Sequence, residues 1–204
     1  MAAMIADLED YFRNFVPHRD DLLLELEREA REENLPIVGP VVGELLYVLG
    51  RAVRARKILE LGTATGYSAI YLGRACQEQD GKVVTLEWDE ALAVRARSNL
   101  AKAGLSDRVE VLVGNALELM AAMTQHFDFI FMDIDKEAYL PALSHCQRLL
   151  SIGGLLVVDN VGFRGAADFN REIFRRPQWR AVPLLCWLPH HSPEKDGLCF
   201  ALRV

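Results

Sequence analysis

The chain is expected to fold as an α/β protein, a doubly wound parallel sheet covered by helices on both faces. Two observations predict this. From Lys57 onward, short apolar runs alternate with helix-length stretches, the pattern of successive strand–helix–strand units. Four of the runs also end on a glycine or a polar residue: Ile58 to Gly62, Val83 to Glu87, Phe129 to Asp133, and Leu155 to Asn160. In an open α/β sheet, ligands bind beyond the carboxyl ends of the strands, near the point where strand order reverses, so these four ends are where function is sought.

Each element has its own warrant. Residues 4–34 carry Leu22, Leu23, Leu26 and Ala30 at helical spacing among acids and arginines, which predicts one or two amphipathic helices divided at Pro17. A third helix is expected from Pro40 to Arg54, where Val41, Val42, Leu45, Leu46, Val48 and Leu49 are too crowded for an exposed element. Strands follow near 57–61, 82–87, 108–113, 127–133 and 153–159, with helices near 66–78, 89–104, 116–125 and 137–150. Right-handed crossovers between them make the sheet doubly wound. The tail predicts a helix near 166–176, then strands near 180–187 and 197–203, joined through Pro189 and the polar run His190 to Gly197. Such a hairpin can close one sheet edge. No repeat or linker divides the chain, so residues 1–204 are expected to form one domain, with 1–55 as N-terminal helices packing on the sheet.

Composition narrows the function classes. The 204 residues are 51% hydrophobic and 25% charged, enough for one sizeable core. A net charge of −6 lacks the overall basic field of a non-specific nucleic-acid binder. Cys76, Cys146, Cys186 and Cys199 form no C-x-x-C pair, which argues against zinc and against a disulfide framework, and for a reducing compartment. The N-terminal residues run directly into Asp7, Glu9 and Asp10 without a basic and apolar leader pattern. No stretch approaches the roughly 20 apolar residues that cross a bilayer. A cytoplasmic protein with no membrane partner is expected.

The first strand–turn–helix reads Glu60, Leu61, Gly62, Thr63, Ala64, Thr65, Gly66, Tyr67, Ser68. Ala64 and Tyr67 stand where the dinucleotide fingerprint needs glycine, so a pyrophosphate cofactor is disfavoured. What remains is a tight glycine turn into a helix N-terminus, whose free N–H groups can hold a carboxylate. Glu60 adds a negative charge beside it, suited to an ammonium or another cation. Glu87 ends the next strand, where a carboxylate can accept hydrogen bonds from both hydroxyls of a ribose. Together these describe an amino-acid-bearing nucleoside, and S-adenosylmethionine is that kind of molecule. The alternative is a glycine-rich turn with two capping acids.

Asp133 and the pair Asp159–Asn160 end the fourth and fifth strands, expected neighbours, so two carboxylates and an amide oxygen can converge. Hard oxygen ligands suit Mg2+, with Mn2+ or Ca2+ as alternatives. The alternative is that they cap the helices that follow. Lys136 shares the corner of Asp133, and near a divalent cation its ammonium form is disfavoured, so it can act as a general base toward a hydroxyl. Asp135 is read as the N-cap of the next helix. His190 and His191 are read as an exposed turn, since the oxygens already complete a metal site. Trp179 and Trp187 are read as core or hairpin packing.

These segments resemble the metal-dependent class I S-adenosylmethionine O-methyltransferases, the group that includes catechol and caffeoyl-coenzyme A O-methyltransferases. Ile58 to Ser68 resembles their cofactor loop, Phe127 to Tyr139 their metal and base segment, and Gly153 to Val161 their second metal segment. The resemblance implies a Rossmann-like methyltransferase sheet of seven strands, mostly parallel with an antiparallel last strand, and often a homodimer. It implies that Asp133, Asp159 and Asn160 bind the metal and that Lys136 helps deprotonate the acceptor. It further implies cofactor contacts from Gly62, Ser68 and Glu87, with Asn115 and Ala116 around the adenine and Val38 near the methionine end; Asp133 also faces the sulfonium side. The expected reaction is methylation of a hydroxyl on a small catechol-like or related aromatic acceptor. Two departures bear on the acceptor: a short loop from Val161 to Gly165 where a longer excursion is common, and the run His190 to Lys195 in place of a short turn before Asp196.

Two rival readings stand beside this one. Part of the family methylates a hydroxylated uridine of transfer RNA, and residues 32–37 look somewhat like that branch. Arg164, Arg171, Arg175, Arg176 and Arg180 could then form a phosphate track, against the acidic total. The other is a non-catalytic scaffold that keeps the cofactor fold.

Overall fold

The computed structural model describes residues 3–204; the first two residues of the N-terminal stretch read above for a leader lie outside the described residues. Helix α1 (Leu8–Arg13) is short and capped by Asp7, which accepts from the Asp10 N–H. Helix α2 (Asp21–Glu33) starts with Asp20 accepting from Leu23 N and ends at Asn34 in the left-handed conformation, a residue type that tolerates it. Its buried face is Leu23, Leu26 and Ala30, and the segment holding Pro17 between α1 and α2 is not helical, as expected. Helix α3 (Gly39–Ala52) has Pro40 in its first turn, where the missing N–H is harmless.

The strands and helices then alternate: β1 (Lys57–Leu61), α4 (Tyr67–Ala75), β2 (Lys82–Glu87), α5 (Glu90–Lys102), β3 (Val109–Val113), α6 (Ala116–Ala122), β4 (Phe127–Met132), α7 (Tyr139–Leu149), β5 (Leu150–Val158), α8 (Ala167–Ile173), β6 (Trp179–Trp187) and β7 (Lys195–Arg203). The seven-stranded sheet has the order β3-β2-β1-β4-β5-β7-β6. The first five strands are parallel to one another, β7 runs antiparallel to β5, and β6 pairs antiparallel with β7. This is the mostly parallel, doubly wound sheet expected, with its tail hairpin closing one edge.

Several element boundaries depart from the sequence reading: α4 ends at Ala75 rather than near 78 and α6 at Ala122 rather than near 125, and two further departures have a plain physical cause. Strand β5 begins at Leu150, directly after α7, because Leu150 pairs with Phe127 before a register shift lets Phe129 meet Leu155. Helix α8 ends at Ile173, ahead of the Pro177 that cannot continue it.

Alternating side chains of the central strands feed two apolar layers. Ile58, Phe129 and Phe131 pack with α2, α3, α4 and α5, whereas Leu59, Leu61, Ile130 and Met132 pack with α6, α7 and α8. Strand order reverses between β1 and β4, which places the carboxyl ends of these two strands at the switch point. No helix among the described residues is long and apolar enough to cross a membrane.

Candidate active site

Gly62 follows β1 and Asp133 follows β4, and their backbones touch. The Asp133 N–H donates to Leu61 O at 2.9 Å, and a Cβ on Gly62 would stand 2.0 Å from Asp133 O. Gly62 also adopts φ +94°, so only glycine serves there. Gly66, at φ +89°, turns the chain into α4, whose first residues carry Ser68.

A cavity of about 590 Å3 opens above this contact. It is lined by Val38, Gly62, Ser68, Glu87, Asn115, Ala116, Asp133, Lys136, Asp159 and Asn160, so ten of the eleven residues singled out from sequence face one space. Glu60 is the exception. It is fully buried beneath the loop, with the Thr85 hydroxyl donating to Oε2 at 2.6 Å and Oε1 left without a partner. Burial pushes its carboxyl up to about 7, and the Ser68 and Thr85 hydroxyls oppose that shift.

Glu87 is held by the backbone. Oε2 accepts from Ala64 N at 2.7 Å and Oε1 from Asp89 N at 3.0 Å, which fixes the carboxylate between the cofactor loop and the start of α5. Asn115 caps α6, its Oδ1 accepting from Leu117 N and Glu118 N, so it faces the cavity as a helix cap.

On the opposite side, Asp133 and Asp159 stand at adjacent strand ends. The Asp133 side chain is about a quarter exposed, toward the cavity, and its Oδ1 pairs with Lys136 Nζ at 2.7 Å. Burial and the charge of Asp159 hold the Asp133 carboxyl above its usual range, with Lys136 opposing. Asp159 is fully buried: Oδ1 accepts from Asn160 N, and the Tyr139 hydroxyl donates to its backbone oxygen at 3.0 Å. Asn160, at φ +51°, donates its side-chain amide to Asp196 Oδ2 at 2.7 Å, leaving Oδ1 free to act as a ligand. Asp135 takes the N-cap position ahead of residues 136–138, but its side chain makes no capping bond.

The hairpin tip overturns one expectation. His191 is not an exposed turn residue: it is buried, it lines the cavity, and its Nε2 lies 2.8 Å from Asp159 Oδ2. Burial lowers its basicity, but the Asp159 hydrogen bond and charge outweigh that and hold its pKa above the ordinary histidine value. The tip is pinned from below, since a Cβ on Gly39 would meet His190 O at 2.6 Å, and from the side by Glu194, which pairs with Arg13 through both oxygens. Trp187 completes that side, with the Arg13 guanidinium 5.0 Å above its ring, while Trp179 is buried in the core. Asp196 is the other residue that the reading of the site missed; its only signal is an acid placed next to Gly197 at the start of the last strand.

Residues 16–175 match the model of a family described as O-methyltransferase. The chain belongs to the O-methyltransferase family. It is 34% identical over 160 residues to a catechol O-methyltransferase of Niastella koreensis, covering 76% of this chain and 72% of that one. A catechol O-methyltransferase of Mycobacterium tuberculosis is 44% identical over 120 residues, covering 58% of this chain and 54% of that one. Among solved structures, an O-methyltransferase from Bacillus cereus in complex with SAH superposes with a TM-score of 0.85 at 32% identity, over 97% of both chains. The TomG O-methyltransferase of Streptomyces achromogenes, in complex with SAM, gives 0.85 at 32% identity over 97% and 96%. The enzyme class expected from sequence, an S-adenosylmethionine-dependent O-methyltransferase, is thereby borne out, and with it the family resemblance.

Within this O-methyltransferase the arginines considered as a phosphate track are partly neutralised. Arg171 pairs with Asp168 and Arg176 with Glu172. No three His, Cys, Asp or Glu side chains among the described residues are grouped as a metal cage; the candidate set is two carboxylates and one amide.

Proposed function

We propose that this enzyme transfers the methyl group of S-adenosylmethionine to a hydroxyl oxygen of a small catechol-like aromatic acceptor, with a divalent cation held by Asp133, Asp159 and Asn160. Mg2+ is the first choice, with Mn2+ or Ca2+ as alternatives. The observation that carries this reading is the contact of Gly62 with Asp133, which joins the cofactor loop and the carboxylate corner in one cavity. The names of the relatives, catechol O-methyltransferases, support the acceptor class.

The residues fit both groups. Two neighbouring carboxylates, one fully buried, together with an amide oxygen freed by Asp196 form a hard donor set that a cation would neutralise. When bound, the cation would favour the deprotonated acceptor and neutralise charge at its oxygen. S-adenosylmethionine supplies a methyl group activated by its sulfonium charge.

The chain's own residues do the positioning. Ser68 and the free amides of the first turn of α4 hold the carboxylate end of the methionine, with Val38 as its apolar wall. Glu87, already oriented by two N–H groups, accepts from the ribose hydroxyls. Asn115 and Ala116 border the adenine, and Glu60 lies under the cationic end. Asp133 borders both the sulfonium side and the metal corner. Lys136 takes the acceptor's proton on Nζ, which a cation nearby makes easier by disfavouring the ammonium form. Holding the two partners in line supplies most of the rate. The exposed apolar side chains of Phe12, Phe15 and Leu185 fit a homodimer.

Titration calorimetry with S-adenosylmethionine, then a methyl-transfer assay on catechol with and without chelator, tests the reading. Cofactor binding without metal and transfer only with metal are expected. No cofactor binding would sink the cofactor half of the site, and transfer that survives exhaustive chelation would remove the cation.

A further inference from the structure

Five acidic side chains are buried among the described residues: Glu60, Glu87, Asp159 and Asp196, already described in the site, and Glu27 of α2. Glu27 is 1% exposed, and a carboxylate so deep in the fold costs free energy unless it is paired. Its partners are well formed. Oε1 accepts from Arg19 Nε at 2.9 Å and from the Tyr67 hydroxyl at 2.8 Å, while Oε2 accepts from Arg19 Nη2 at 3.3 Å. Arg19 is held in turn by Nη1 donating to Pro17 O at 3.0 Å.

Tyr67 is where this network meets the cofactor side. It is the first residue of α4, between Gly66 and Ser68, and it lines the cavity. A tyrosine hydroxyl has one proton to donate, and here it goes to Glu27, 40 residues away in the chain. The bond therefore ties the first turn of α4 to α2. Beyond α2, Asn34 turns the chain directly into Leu35, Pro36, Ile37 and Val38, which line the same cavity. One link thus joins two of its walls.

The residue on the other side of Gly66 is braced as well. Buried Asn99 of α5 donates its side-chain amide to Thr65 O at 2.9 Å. Helices α2 and α5 are themselves tied, Arg95 pairing with Glu29 and Glu33, and Lys102 with Glu25. Gly66, at φ +89°, is the pivot between the two braces, and a residue with that freedom needs its neighbours held. A displacement of about 1 Å is enough to spoil aligned contacts.

We infer that Glu27 is a positioning residue for the methyl donor: through the Tyr67 hydroxyl it fixes the first turn of α4, and with it the amides and Ser68 that receive the methionine carboxylate. This rests on the cofactor placement proposed above. Glu27 does not line the cavity, so its effect reaches the donor only through Tyr67.

Tyr67→Phe removes one oxygen and keeps the ring in place, so it tests the link with little risk to folding. Calorimetry with S-adenosylmethionine, at a temperature where every variant is fully folded, should show the dissociation constant rising about 10-fold in Tyr67→Phe and in Glu27→Leu, as for one lost hydrogen bond. With catechol as acceptor, kcat and the KM of catechol should stay within about twofold of the parent. The double variant should bind no more weakly than either single one, because both cut the same link. Glu27→Gln keeps an oxygen that can accept from the phenol and should recover most of the affinity. A merely structural role gives another pattern, lower melting temperatures with donor affinity unchanged or additive losses in the double variant, and either result would overturn the inference. So would a fall in kcat at unchanged donor affinity. Failure of the unsubstituted protein to bind S-adenosylmethionine would remove the cofactor placement as well, which keeps the two failures apart.

Discussion

Asn160 donates its side-chain amide to Asp196 Oδ2 over 2.7 Å, so a residue just beyond β5 takes its orientation from the start of β7. The same aspartate accepts from the N–H groups of Gly162 and Gly197 through Oδ1, which makes it the anchor of the loop after Asn160. Replacing Asp196 by Ala should leave Asn160 free to turn its nitrogen toward the cation. Affinity for the divalent ion is expected to fall about 10- to 100-fold, the range found for outer-shell partners. Calorimetry with Mn2+ measures it, and an unchanged affinity would show that Asn160 does not depend on this bond.

Lys136 is expected to matter for transfer rather than for cofactor binding. Its Nζ contacts Asp133 and lies 5.5 Å and 5.9 Å from the ring centres of Tyr139 and Phe163, which confine it to the acceptor side. Lys136→Ala should lower kcat by a factor on the order of 10² to 10⁴ with the dissociation constant of S-adenosylmethionine little changed. A full-rate variant would take the lysine out of the mechanism.

Glu60 gives a pH signature. Its carboxyl lies at about 7 in the fold, against 4.5 for the ordinary side chain. Between these values the native chain holds a proton that the unfolded chain has lost, so this group's contribution to stability declines as pH rises from about 4.5 to about 7. The difference is on the order of 3 kcal/mol. Melting temperatures of the ligand-free protein across that window should show the decline, and Glu60→Gln should flatten it. A cationic cofactor favours the carboxylate, so binding near pH 6 should release protons, seen as a buffer-dependent heat. Identical pH profiles for the two proteins would assign the decline to other groups.

Gly62→Ala should be among the most damaging single changes. The new methyl carbon would lie 2.0 Å from a backbone oxygen, and φ +94° disfavours any side chain. Destabilisation on the order of 3 kcal/mol or more is expected from chemical denaturation, with cofactor binding lost in whatever remains folded. A melting temperature within a degree of the parent would contradict the close contact.

Much of this arrangement is legible in the sequence for physical reasons. Strand ends are marked because β1, β2, β4 and β5 are buried on both faces and read as apolar runs, so the residue that breaks each run, Gly62, Glu87, Asp133 or Asp159, stands out. The beginning of β5 is not legible, since Leu150 to Gly154 carries helix and turn residues and pairs only after a register shift against β4. His191 is hidden for a different reason. Its burial comes from Gly39, Asp159 and Glu194, each more than two residues away in the chain or on another element, and nothing in a polar run reports such contacts. Glu60 is found correctly as an acid beside the loop, but whether it faces the cavity or the layer beneath depends on the pleat of β1 against Thr85.

Arg13 and Glu194, together with Glu9 and Lys195, fasten the first helix to the hairpin that carries His191. The order of assembly follows from this. The wall proposed for the methyl donor is drawn from residues 38–116, whereas the opposite corner is bordered by Asp196 and His191, which are synthesised later. A nascent chain can therefore shape the proposed donor side first, and the opposite corner closes only when the β6–β7 hairpin has docked, with α1 fastened to it. Hydrogen exchange should show the hairpin tip and α1 opening together, at lower free energy than β1 and β4, so that partial unfolding disarms the enzyme before it loses its nucleoside.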